Sequence, residues 1–84
     1  MAPRSMLPAS LASAAVGATV RIVRASLASD TVGWLGAVGL DAGELVTVLR
    51  RGALGGPLHV RTSSGGEFAV AREIALKLEV EPSP

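Results

Sequence analysis

The chain contains no cysteine and no tyrosine, and it has one tryptophan and one phenylalanine among its 84 residues. Without cysteine there can be no disulfide framework, no zinc ribbon and no thiol nucleophile. The eight Lys and Arg residues are spread along the chain, and the net charge is +1. Because nucleic acid is bound by basic surfaces and single strands also by aromatic platforms, this composition argues against a nucleic-acid partner.

Long apolar runs are missing as well. A membrane-spanning helix needs roughly 18 or more consecutive apolar residues, and no segment meets that requirement. We therefore expect a soluble chain with no membrane insertion. Residues 1–9 contain Pro3 and Pro8 and no apolar repeat, so we expect a disordered lead-in rather than a signal sequence.

What the chain does have is a hydrophobic share of 49%, supplied mainly by Ala, Val and Leu. A chain of this length forms one domain and buries only about 60% of the surface that it exposes when unfolded. A core of small branched residues fits a tight barrel better than a cavity of ligand size. We expect this single domain to occupy residues 10–81, followed by a tail of residues 82–84.

Alternation of apolar and polar residues predicts five short strands. They are expected at residues 18–27, 44–51, 58–62, 67–70 and 78–80. The third and fourth strands are separated by a Ser-Ser-Gly-Gly sequence, which is typical of a hairpin turn because glycine adopts positive φ without strain.

Three helical segments accompany the strands. Apolar residues recur at helical spacing over residues 31–38, and Gly39 ends the run, which predicts a short helix after the first strand. Residues 71–77 predict a helical turn before the last strand. Ser10 is expected to cap a short turn whose Leu11 anchors it to the core. Together these elements predict a mainly β fold, a small SH3-like five-stranded barrel.

A series of turn and core residues runs in a fixed order through nearly the whole predicted domain. It consists of Leu11, Gly17, Leu35, Val38-Gly39-Leu40, Asp41-Ala42-Gly43, Val46, Val48, Ala53-Leu54-Gly55-Gly56-Pro57, Ala75, Leu78 and Val80. In this order the series resembles the FeoA family, ferrous iron transport protein A. The resemblance implies an SH3-like, non-enzymatic accessory protein that docks on the cytoplasmic part of FeoB, the membrane ferrous iron transporter, and modulates it.

A second function is also compatible with the resemblance. The same domain occurs at the end of iron-dependent repressors of the diphtheria-toxin repressor class, so the alternative is a stand-alone module that senses a metal or a peptide. The chain departs from the FeoA pattern at Trp34, Gly56 and Ala71, where the family commonly has Arg, Asp and Arg. No cofactor is expected. The serines have no histidine base nearby in sequence, and no phosphate-binding glycine loop precedes a helix, so we expect no enzyme.

Four residues in two segments are candidates for partner binding. Trp34 is offset from the apolar stripe of the predicted helix, so its ring either covers the rim of the core or anchors a partner. Arg50 and Arg51 precede the Gly/Pro-rich loop and are either solvated or docked against an acidic surface. Leu54 lies in that loop, at residues 52–57, which we expect to contact the partner.

Three further residues are candidates on the second half of the chain. Ile74 and Leu76 either complete the core or form an apolar patch for docking or for self-association into a homo-oligomer. His59 is a weak metal candidate, because a metal site needs several converging donors and a lone histidine on a strand usually faces solvent. Either Glu67 or Glu79 can approach His59 across the strands.

Overall fold

The computed structural model describes residues 9–25, 40 and 42–83. This part of the chain forms one six-stranded sheet in the order β1-β6-β2-β3-β4-β5, and neighbouring strands pair antiparallel. The strands are β1 (Ala9–Ser10), β2 (Thr19–Ala25), β3 (Leu45–Arg51), β4 (Leu58–Thr62), β5 (Glu67–Val70) and β6 (Leu78–Pro82). The helical elements are α1 (Arg72–Ala75) and two 3-10 turns at Leu11–Ser13 and Ala53–Gly55.

No helix in the described part of the chain is both long and apolar enough to cross a membrane.

The mainly β, SH3-like architecture predicted from the sequence is confirmed, with six strands in place of five. The additional strand is β1, in which Ala9 pairs with Val80 and Ser10 pairs with Glu79. A strand of two residues is too short to show alternation, so β1 could not be predicted from the sequence. The strands β4 and β5 have the predicted bounds, whereas the helix predicted at residues 31–38 lies outside the described residues.

The core follows from the alternation of side chains along the strands. In β2, Val20 and Ile22 are buried while Arg21 is exposed, and in β3 Val46 and Val48 are fully buried. Within the described part of the chain, the buried hydrophobic side chains form a single cluster of 13 residues: Leu11, Ala12, Val20, Ile22, Leu40, Val46, Val48, Leu58, Val60, Val70, Ala75, Leu78 and Val80. The interior is therefore filled by side chains, as expected for a small barrel.

The N-terminal 3-10 turn (Leu11–Ser13) packs against α1. Leu11 and Ala75 are both fully buried there, which confirms Leu11 as the anchor. The predicted cap is wrong: the Ser10 side chain makes no capping hydrogen bond, and instead the Ser13 hydroxyl donates to the Ser10 carbonyl at 2.8 Å. Ser10 belongs to β1, and its backbone carbonyl accepts the hydrogen bond that joins the strand to the turn.

Two irregularities bend the sheet. The pairing of β2 with β6 shifts between Ile22 and Arg24, and the pairing of β3 with β4 shifts between Val48 and Arg50. Each shift places one extra residue on one strand, which increases the local twist and redirects the side chains that follow. The second shift, at Leu49, lies one residue before Arg50 and Arg51. It therefore determines which face of the sheet each of these two side chains occupies.

Candidate functional site

The β3–β4 loop (residues 52–57) projects from the sheet on a closed neck. The Gly52 amide donates to the Pro57 carbonyl at 2.7 Å, and the Gly56 amide donates to the Ala53 carbonyl at 3.0 Å. A Cβ at Gly52 would lie 2.9 Å from the Pro57 oxygen, so a glycine is needed where the two sides of the neck meet. The tip of the loop is consequently held in one conformation.

Leu54 occupies this tip in an unusual state. Its backbone is left-handed, with φ 57 and ψ 42, and its relative exposure is 104%. A left-handed non-glycine residue costs about 1–2 kcal/mol, and an exposed leucine forgoes the ~2 kcal/mol that burial contributes. Because strained residues cluster at functional sites, these two features make Leu54 a candidate contact residue.

A row of residues on the outer face of the sheet leads up to the loop. Arg50 pairs with His59, and His59 pairs with Ala69, so their side chains share one face. A groove of about 180 Å³ is lined by Arg50, Arg51, Gly52, Pro57, His59 and Ala69. Arg50 and His59 also line a neighbouring groove with Leu49 and Glu67, so Arg50 stands between the two.

The two adjacent arginines have different environments. Arg51 reaches across the end of the barrel, where its Nη2 donates to the Ala14 carbonyl. It thereby ties β3 to the segment that follows the N-terminal 3-10 turn. Arg50 is exposed and makes no hydrogen bond or ion pair with any described residue. The sequence analysis considered Arg50 and Arg51 together, as solvated or docking residues. In the structure their side chains have different environments.

A third arginine approaches the loop from the opposite side. A Cβ at Gly55 would contact Cδ of Arg72 at 3.6 Å, so the Arg72 stem lies beside the tip. Arg72 is exposed at the first position of α1. Like Arg50, it has no ion-pair partner in the described part of the chain. Arg50 and Arg72, which have no ion-pair partner among the described residues, thus lie near the β3–β4 loop, Arg50 in the groove with Gly52 and Arg72 beside Gly55.

His59 has a carboxylate neighbour, as one of the two predicted alternatives proposed. Its Nε2 lies 3.5 Å from Oε1 of Glu67, and Oε2 of Glu67 accepts from Nε and Nη2 of Arg61 at 3.3 and 3.2 Å. Glu79 instead pairs with Arg24 at 2.8 Å. Among residues 9–25, 40 and 42–83 there is no group of three or more His, Asp or Glu side chains able to hold a metal ion.

The Arg61 hydrogen bonds and charge, with a smaller contribution from His59, hold the pKa of Glu67 below its usual value of 4.5. A depressed carboxyl pKa contributes stability that is present above the unfolded pKa and is lost as the pH falls through the folded one. We therefore expect the β4–β5 hairpin to weaken below about pH 4.5. Replacing Arg61→Gln should raise the Glu67 pKa, as measured by NMR titration of its side-chain carboxyl carbon.

The matched control is Arg24→Gln, which removes a charge of the same kind from the β2–β6 pair. It should leave the Glu67 titration unchanged. A Glu67 pKa that stays at its ordinary value in the unaltered protein, or that does not respond to the loss of Arg61, would contradict the assignment.

The remaining candidates are distributed as follows. Ile74 is half-buried and packs against the core, whereas Leu76 is 48% exposed, so the two do not form one exposed patch. Trp34 lies outside the described residues. Self-association through Leu76 stays a prediction. From the sequence, Arg72 is expected only in the neighbourhood of Arg50 and Arg51 on the outer surface, and the fold adds its contact beside Gly55 of the β3–β4 loop.

Comparison with known proteins gives a consistent assignment. The family model for the FeoA domain matches residues 9–82. The crystal structure of an iron uptake regulatory protein (FeoA) aligns with a TM-score of 0.78 and 21% identity, over 92% of this chain and 99% of that one. The FeoA protein from Chlorobium tepidum aligns with a TM-score of 0.82 and 21% identity, over 90% of this chain and 71% of that one.

A second group of similar structures contains larger proteins. A manganese-dependent transcriptional repressor in complex with manganese aligns with a TM-score of 0.80 and 20% identity, over 98% of this chain and 38% of the repressor. At this identity the likeness shows the shared SH3-like fold. No curated protein sequence matches the chain.

Proposed function

Since the chain belongs to the FeoA domain family, we propose that it is a non-enzymatic accessory protein of ferrous iron uptake, which docks on the cytoplasmic part of a FeoB-type transporter and modulates it. This function places the protein in the cytoplasm. The β3–β4 loop is the docking element, with Leu54 as its apolar anchor.

The single observation that carries the docking proposal is the state of Leu54. A fully exposed leucine in a left-handed conformation lowers the stability of the free protein, and a partner that buries the side chain recovers part of that cost. Interfaces concentrate their energy in a few such anchors that enter pockets on the partner. The closed neck of the loop lowers the entropy lost on binding, because the anchor is already in place.

The test is binding to the isolated GTP-binding domain of the FeoB transporter from the same organism. Calorimetry or biolayer interferometry should show a saturable 1:1 complex, whose affinity differs between the GDP and GTP-analogue states of that domain. A ligand modulates an equilibrium only if it binds one state better than the other. The same titration with a GTP-binding domain of an unrelated small GTPase is the control.

Two results would oppose the proposal. Absence of binding in every nucleotide state would show that the protein does not dock on this domain. Equal affinity in all states leaves docking intact but removes modulation through the nucleotide state.

The repressor likeness supports a second candidate, a stand-alone module that senses a metal or a peptide. Under that function, titration with Mn²⁺ or Fe²⁺ under anaerobic conditions gives micromolar binding that is lost in His59→Ala. Under the docking function the metal titration gives no such signal, and His59→Ala leaves transporter binding unchanged within about twofold, because a half-exposed histidine at the edge of a surface contributes little.

A further inference from the structure

We propose that the partner surface which receives Leu54 is acidic, and that its carboxylates pair with Arg50 and Arg72. This inference rests on the proposed function and adds the chemistry of the partner segment. The partner is a protein segment in which an apolar pocket is flanked by Asp or Glu side chains.

The first support is the way in which charges are paired over the described residues. Most carboxylates already have polar partners: Glu81 with Arg21, Glu79 with Arg24, Glu67 with Arg61, and Glu44 with Ser63. The arginines of β2 and β4 are thereby satisfied within the sheet.

The charges left over lie beside the β3–β4 loop and along α1. Among the described residues, the unpaired groups are the cations Arg50, Arg72 and Lys77 and the single carboxylate Glu73. Two of the three cations flank the loop, Arg50 through the groove that it shares with Gly52 and Arg72 through its contact beside Gly55. Among the described residues, the surroundings of the docking element therefore carry two cations without an ion-pair partner.

The second support is the kind of cation. A guanidinium offers a planar fork of donors that matches a carboxylate in two parallel hydrogen bonds. Arg50 lines the groove with Gly52 and Pro57, so a carboxylate entering the groove meets its guanidinium group. Such rim pairs raise the association rate and select acidic partners, while the apolar anchor supplies most of the affinity.

The chemistry favours an acidic protein segment over nucleic acid. A nucleic-acid surface needs a continuous basic stripe or aromatic platforms for the bases. Here two arginines flank a leucine, and Glu67 and Glu73 interrupt the positive surface. A leucine flanked by cations is complementary to a pocket with an acidic rim.

The decisive experiment compares Arg50→Glu/Arg72→Glu with the unaltered protein in binding to the FeoB GTP-binding domain at about 50 and about 300 mM salt. The association rate of the unaltered protein should fall several-fold with salt, and that of the double variant should be about tenfold lower at low salt with a much flatter salt dependence. Arg21→Glu/Arg24→Glu, at the β2–β6 pairs, changes the net charge by the same amount and is the matched control, which should leave both quantities within about twofold.

The outcomes separate the two proposals. If binding requires Leu54 but neither salt nor the double variant changes the association rate, the acidic partner is wrong and docking stands. If Arg21→Glu/Arg24→Glu reduces the rate as strongly as Arg50→Glu/Arg72→Glu, the effect reports overall charge, and the assignment to Arg50 and Arg72 is wrong.

A probe that does not depend on FeoB keeps the inference testable on its own. A short peptide of alternating Glu and Leu, titrated into the ¹⁵N-labelled protein, should shift the amide signals of residues 50–56 and 72. A Lys and Leu peptide of equal length should not. Equal shifts with both peptides, or shifts confined to other strands, would overturn the inference even if no transporter domain binds.

Discussion

Replacing Leu54→Gly should make the free protein more stable and its complex weaker. Glycine adopts φ 57 without the clash of a Cβ, so the substitution removes a strain of about 1–2 kcal/mol, offset in part by the greater freedom of glycine in the unfolded chain. We expect a net gain of about 1 kcal/mol, or about 5 °C in Tm. Affinity for the transporter domain should fall at least about tenfold, because the anchor side chain is gone.

The gain in stability together with the loss of affinity is what distinguishes this result from a general effect of the substitution. Leu54→Ala provides the comparison, since it keeps the left-handed strain and removes the same anchor, so it should lose affinity without the gain in Tm. Thermal unfolding followed by circular dichroism and calorimetric binding measure both quantities on the same samples. If Leu54→Gly binds as tightly as the unaltered protein, the loop tip is not the anchor.

Replacing Leu11→Ala should have the largest effect on stability. Leu11 is fully buried in the cluster that joins the N-terminal 3-10 turn to α1, and the cavity left by such a truncation costs about 3 kcal/mol. A domain of this length has only about 4–12 kcal/mol in total. We expect a fall in Tm of about 15 °C, measured by calorimetry, with affinity unchanged at temperatures where the variant is folded.

Val16→Ala is the matched control for the Leu11 variant. Val16 lies close in sequence but is 57% exposed, so its truncation should change the stability by less than about 0.5 kcal/mol. Comparable losses in the two variants would mean that the N-terminal turn does not anchor the barrel through Leu11.

Alternation of apolar and polar residues was enough to predict the strands that bury one face and expose the other. The β4–β5 hairpin was found with its bounds because Leu58, Val60 and Thr62 alternate with polar residues and a glycine-rich turn follows. By contrast, β1 has two residues and carries no period. Its existence depends on pairing with β6, which is almost 70 residues away in the chain and is invisible to local patterns.

The loop at residues 52–57 could be predicted from the sequence, but its geometry could not. Leu54 was placed in this loop, yet its left-handed backbone and the hydrogen bond that closes the loop between Gly52 and Pro57 are not reported by any apolar pattern. The nearness of Arg72 to Gly55 likewise depends on how α1 packs. Patterns in the sequence report which face a side chain occupies, whereas the neighbours of that side chain depend on register and packing.

The extra residue at Leu49 determines which arginine is available to a partner. Without it, Arg50 would stand opposite Leu58 on the core side of the sheet; with it, Arg50 faces outward opposite His59 and Arg51 takes the place beside Leu58. In an aligned relative whose third strand is regular, the residue that faces outward at this point of the sheet would therefore be one position away from the one matched by residue count. Comparison of such proteins by alignment column alone would assign the interaction to the wrong side chain.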